Sequence, residues 1–221
     1  MPALTLKFVG AIAAGLIYWF YYGYGDTRGF YKSGLVLFDA IISNFTYFFN
    51  LMIPRDNPDQ PVEVLNILYS YRAFVDTSSF FMFRTSAFFS FFTFATYSCI
   101  AVIFAFITFL SSLYFYKSLL RKFPDLWKEI AIAIFFIPSV FFWGSGLFKD
   151  SLTFAGLCLF VGGAFNLLDR HKVFKSISLS IIGAYIILNL KAYVLLSLAP
   201  CLALYIFLSY NHRIKSKMVR R

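Results

Sequence analysis

The chain has 221 residues, 60% of them hydrophobic and only 14% charged, with a mean hydropathy of +0.74. A soluble domain carries about 25% charged residues and has no means of hiding this much apolar surface, so the bilayer must serve as solvent. The formal charge of +10 then reports an uneven distribution across a membrane, and a nucleic-acid partner is not expected.

The apolar runs are continuous rather than alternating, which excludes a membrane β-barrel and predicts an all-α, polytopic helix bundle. The first run, about residues 8–24, is read as a retained span, since no small-residue cleavage pattern follows it. Leu35 to Ile53 is also long enough to cross. A crossing there would place 14 of the 20 basic residues outside, and Asp39 interrupts the run. It is therefore predicted to lie along the outer leaflet, followed by the polar turn Pro54 to Pro61 and a second interfacial helix from about Val62 to Ala73.

Five further spans are predicted at about 87–116, 129–143, 151–168, 176–190 and 192–210, the last two separated only by Lys191. Pro138 and Pro200 fall within spans, which membrane helices tolerate. The whole reads as one transmembrane domain over 1–221 with about six spans. A long outer loop over 24–86 carries the interfacial helices, a bundle follows over 87–210, and a basic tail occupies 211–221. With both termini cytoplasmic, 13 of the 20 basic residues face inward, Lys7 and the Lys117 to Lys128 group among them. The expected location is the plasma (inner) membrane.

Three polar sites fall on the opposite face. The first is Tyr24 to Tyr31, where Asp26 and Arg28 follow the first span between Gly25 and Gly29; on the residues alone, an ordinary exit turn with a surface charge pair is the favoured reading. The second is Pro138 to Ser151, where Lys149 and Asp150 open a helix whose free amides favour an anion such as phosphate. Interfacial anchoring by Trp143 and helix capping by Asp150 are the bland alternatives. The third is Lys191 with Tyr193, a cation between two spans that snorkelling alone would account for. Convergence of three distant segments on one face is the strongest argument for a site there.

Cys99, Cys158 and Cys201 lie apart in apolar runs, and His171 and His212 sit among lysines and arginines. Neither a disulfide framework nor a transition-metal centre is expected.

The acidic residue after the first helix, the long outer loop and the stretch P-S-V-x-F-W-x-S-G-x-x-K-D over 138–150 resemble GT-C type integral membrane glycosyltransferases, which use polyprenyl-phosphate sugars. The resemblance implies Asp26 as the catalytic acidic residue, Asp150 as a second acidic position, and Lys191 with Tyr193 as a basic and aromatic pair near the lipid phosphate. In such a reaction Asp26 is the general base on the acceptor hydroxyl, and Arg28, Lys149 and Lys191 clamp the leaving phosphate. Asp150 orients the acceptor or shares a Mg²⁺ or Mn²⁺ ion. Members of that family run longer, so a minimal member, a truncated copy or a subunit completed by a membrane partner are all compatible. Two other classes fit the residues: a noncatalytic subunit of a membrane complex, and a lipid-linked polysaccharide polymerase or flippase using Arg55, Arg72 and Arg84. In every case membrane lipid is a partner.

Overall fold

The computed structural model describes residues 2–211, and within them the ordered elements are all helical. Four helical stretches are long and apolar enough to cross a membrane: Pro2–Tyr21, Tyr97–Lys122, Lys149–Leu168 and Val173–Tyr205. The chain is thus an all-α integral membrane protein. The tail beyond Asn211, including His212, lies outside the described residues.

Helix α1 (Pro2–Leu16) continues as a π-helical turn over Ile17–Tyr21. Its buried face is made of Gly10, Ala11, Ala14 and Gly15. Small residues let helices approach closely where lipid gives no hydrophobic drive between them. A Cβ on Gly10 would come within 2.5 Å of the Phe141 carbonyl oxygen. Lys7, counted above with the cytoplasmic residues, is fully buried in the bundle.

Helices α2 (Asp26–Ser43), α3 (Tyr47–Met52), α4 (Val62–Ser70) and α5 (Thr77–Thr93) follow. The stretch expected as one interfacial helix over Leu35 to Ile53 is broken at Asn44, where the backbone turns extended at φ −147°. These four helices together enclose a core of Leu37, Ile41, Leu51, Val64, Leu68 and Phe80.

The span expected over 87–116 is divided. Phe94 and Ala95 adopt positive φ of 49° and 56°, and the amide of Ala95 caps back onto Ser90. Helix α5 therefore ends at Thr93, and the long helix α6 starts at Tyr97 and runs to Lys122. No glycine or proline marks this break. Its energy comes from tertiary contacts, since left-handed conformation is unfavourable for both residues.

Beyond a short turn at Pro124–Leu126 comes α7 (Trp127–Ala131), a π-helical turn over Ile132–Phe136, and α8 (Pro138–Trp143). Expected as one span over 129–143, this segment is interrupted at Ile137, whose φ −69° and ψ 124° follow from the steric restriction on a residue before proline. Gly144 to Phe148 then form a buried loop with Gly146 at φ +77°.

Helix α9 (Lys149–Leu168) lies alongside α6 in the same direction: Leu152 shares a core with Ile100 and Phe104, and Asp169 pairs with Lys122 at 3.1 Å. The chain between them must therefore return the length of the bundle, and the broken α7 to α8 segment does so. Helix α10 (Val173–Asn211) is interrupted at Lys191, with φ −146° and ψ 70°. Its first part packs on α9 so closely that a Cβ on Gly183 would come 2.5 Å from the Gly156 carbonyl oxygen. Lys191 then meets Asp150, whereas Tyr205 stacks on Phe165, 5.3 Å between centroids, near the other end of α9. The chain accordingly reverses at Lys191, as the isolated lysine between two apolar runs predicts.

Candidate functional site

One end of the bundle gathers the starts of α5 and α9, the reversal at Lys191 and the first turn of α2. Asp76 caps α5, accepting from the Ser79 amide and the Ser78 hydroxyl at 3.0 Å each. The Lys149 ammonium donates to the hydroxyls of Ser78 and Ser79, both at 2.8 Å, and lies 3.9 Å from the Asp76 carboxylate. These contacts hold the Asp76 carboxyl below its ordinary range, with the Ser79 hydroxyl the largest cause and Lys149 a smaller one. Next along α9, Asp150 forms an ion pair with Lys191.

Lys149 also lies 5.6 Å from the Phe30 ring, one turn into α2 from Asp26. Tyr18 makes a second link: its ring covers Gly25 and lies 5.6 Å from the Phe148 ring. Asp26 and Lys149 thus each follow a residue held by one tyrosine. Asp26 is exposed and makes no hydrogen bond or ion pair with the described residues. Its neighbour Thr27 is buried and shares a 2.8 Å hydrogen bond with the Tyr97 hydroxyl. Beneath that bond an apolar groove of about 220 Å³ opens between α1 and α6, walled by Gly15, Trp19, Tyr97 and Ala101.

Of the residues singled out in the sequence, Asp150 and Lys191 pair, Lys149 starts the same helix but reaches Asp76, Ser78 and Ser79, and exposed Tyr193 lies two positions beyond Lys191. Arg28 does not join them. Its guanidinium is engaged by the Gly23 carbonyl and stacks 4.6 Å from the Trp19 ring. Asp150 is not the cap of α9: the helix begins at Lys149, the preceding Phe148 provides no side-chain cap, and Asp150 stands in the first turn. Among the described residues no three His, Cys, Asp or Glu side chains form a group able to hold a metal ion.

Asp76, Ser78 and Ser79 were not anticipated, although Asp-Thr-Ser-Ser ahead of an apolar run is a recognisable helix start. Lys7 was passed over as a flanking charge. Its ammonium donates to the carbonyls of Gly144 at 2.6 Å and Val140 at 3.2 Å, and stands 5.1 Å from the Phe154 ring. A lone lysine within an apolar run is itself the signal, because an ionisable group at membrane depth needs a reason to be there.

No protein-family model matches the chain, and comparison with curated proteins and with solved structures returns no match.

Proposed function

We propose that this protein is a membrane glycosyltransferase of GT-C character, moving a sugar from a polyprenyl-phosphate donor to an acceptor on the outer face. The observation that carries the reading is the convergence of Lys149, Asp150 and Lys191, from the start of α9 and the reversal of α10, on the bundle end where Asp26 opens α2. An unpaired carboxylate is free to accept a proton, and paired lysines are positioned to meet a phosphate. The groove between α1 and α6 has the apolar lining a prenyl chain needs, and it ends under Thr27, next to Asp26.

In this mechanism Asp26 takes the proton of the acceptor hydroxyl as that oxygen bonds to the anomeric carbon. The bond from that carbon to the phosphate oxygen breaks, and the electron pair leaves with the lipid phosphate. Lys191, drawn from Asp150, and Lys149 stabilise the added charge, with Tyr193 beside them. Arg28 is left outside the clamp, engaged by Gly23 and Trp19. A Mg²⁺ or Mn²⁺ ion would take Asp150 as its carboxylate ligand, with its remaining oxygens from phosphate and water, and Asp26 would keep its role as base.

The same reading gives six crossings, with the α7 to α8 segment and the two arms of α10 counted separately, both termini cytoplasmic, and the inner membrane as the location. Reporters fused after Arg221 and within Pro54 to Pro61 should give opposite signals; equal signals sink this topology. For activity, the wild type is assayed with a panel of polyprenyl-phosphate sugars beside Asp26→Asn at matched yield and monodispersity. Loss of transfer in the variant supports the mechanism, and full activity eliminates it. Absence of transfer in the wild type favours a noncatalytic subunit, for which copurification of a larger membrane partner is the positive sign. Transfer indifferent to Asp26 but lost on replacing Arg55, Arg72 or Arg84 would favour a polymerase or flippase.

A further inference from the structure

Arg84 lies on α5, eight residues beyond the Asp76 cap. Its Nη1 donates to the Met52 carbonyl oxygen at 2.7 Å, and its guanidinium stacks 5.6 Å and 5.4 Å from the rings of Phe80 and Phe81. Its Nε is buried with no acceptor. Lys149, Lys191 and Lys122 each have a carboxylate within ion-pair distance, yet Arg84 has none among the described residues. Burial lowers its pKa from the ordinary arginine value, but a guanidinium stays protonated, so the charge persists and lacks a counter-ion.

The cation lines an open groove of about 450 Å³ between α3, α5 and the first arm of α10, whose other walls include Phe48, Phe88, Phe89 and Tyr185. Phe88 and Tyr185 are 43% and 56% exposed, so the apolar wall faces the surroundings of the bundle. Tyr185 stands six residues before Lys191, which places the groove about 9 Å along the helix axis from the charged end. If that end lies at the membrane surface, the guanidinium sits where head groups give way to acyl chains.

We infer that this groove is a binding site for an anionic phospholipid, with its phosphodiester on Arg84 and its acyl chains along Phe88, Phe89 and Tyr185. The charge supplies what the protein omits: a desolvated guanidinium is stabilised by an oxyanion, and phosphate suits its planar fork. The aromatic wall favours a lipid over a free anion. The site stands apart from Asp26 and Lys191 and does not depend on the transfer reaction.

The test is native mass spectrometry of the full chain in detergent, titrated with phosphatidylglycerol and, separately, with phosphatidylcholine. The wild type should bind phosphatidylglycerol about ten- to a hundredfold more tightly than Arg84→Gln, the range expected for losing a charge-assisted contact. Arg84→Lys should fall between them, phosphatidylcholine, whose phosphate is offset by its own choline cation, should lose less on the change, and the exposed-site control Arg55→Gln should match the wild type. Thr85→Trp, which keeps the cation and fills the groove, should also weaken binding, and it decides the matter should Arg84→Gln fail to fold. Equal phosphatidylglycerol binding by wild type and Arg84→Gln, equal weakening in Arg55→Gln, or undiminished binding in Thr85→Trp would each overturn the site. Displacement of the lipid by millimolar inorganic phosphate would overturn the lipid as the ligand and leave a simple anion site.

Discussion

Replacing Lys7 by methionine tests whether a buried cation holds the broken crossing together. The ammonium has no carboxylate partner, and burying such a charge costs several kcal/mol, so an apolar isostere is an improvement unless the Gly144 and Val140 carbonyls and the Phe154 ring already offset that cost. The geometry argues for the opposite sign. The Val140 carbonyl already accepts from the Gly144 amide at 3.0 Å, but the Gly144 carbonyl, in a fully buried loop, has Lys7 as its donor at 2.6 Å. Methionine fills nearly the same space and leaves that oxygen orphaned, at a cost of about 1 to 3 kcal/mol. For a chain of this size that corresponds to a fall in Tm of roughly 2 to 12 °C. Thermal unfolding by circular dichroism in one detergent measures it. A cysteine at Ser145, buried behind the contact, should become reactive toward thiol reagents in the Lys7→Met background and stay protected beside Lys7. A variant as stable as the wild type, or more so, with Ser145 still protected, would show that desolvation outweighs the hydrogen bonds and that the loop does not need the lysine.

Asp76→Ala should destabilise by about 1 kcal/mol through loss of the α5 cap, and Asp76→Asn by less, because the amide oxygen still accepts from Ser79. The Asp76 carboxyl is held below its ordinary range in the folded protein, so its contribution is present above the unfolded value of about 3.9 and is lost as pH falls through the folded value. Stability measured from pH 8 to 3 should show a shallower acid limb in Asp76→Asn, and identical limbs would refute the linkage. Gly183→Val should cost about 1 to 3 kcal/mol by forcing α10 off α9, read as a lowered Tm; an unchanged Tm would mean the helices have room to part. Asp26→Asn should lower glycosyl transfer by about 10² to 10⁴ with Tm unchanged, whereas Lys191→Ala should raise the donor KM more than it alters the fold.

The sequence disclosed those features whose cause is local. Continuous apolar runs dictate helices in lipid whatever their neighbours do, and Lys191 between two such runs announces a reversal because a charged group is carried to the end of a span. The break at Phe94 and Ala95 has no such local cause. Both residues suit a helix, and the chain leaves it because the Tyr31 hydroxyl takes the Ala95 carbonyl at 2.7 Å and Tyr97 pairs with Thr27, contacts separated by more than sixty positions. The same logic divides the candidate site. Lys149 and Asp150 were legible as charges at a helix start, but their separate partners, Asp76 with its serines and Lys191, depend on how α5 and α10 dock. Arg28 shows the converse: its charge and position recommended it for the phosphate clamp, and local geometry committed it to Gly23 and Trp19 instead. Pattern therefore reveals which residues are expensive to place in this membrane, and only packing decides whether the compensation comes from an ion pair, as for Lys191, from backbone carbonyls, as for Lys7, or from a ligand, as inferred for Arg84.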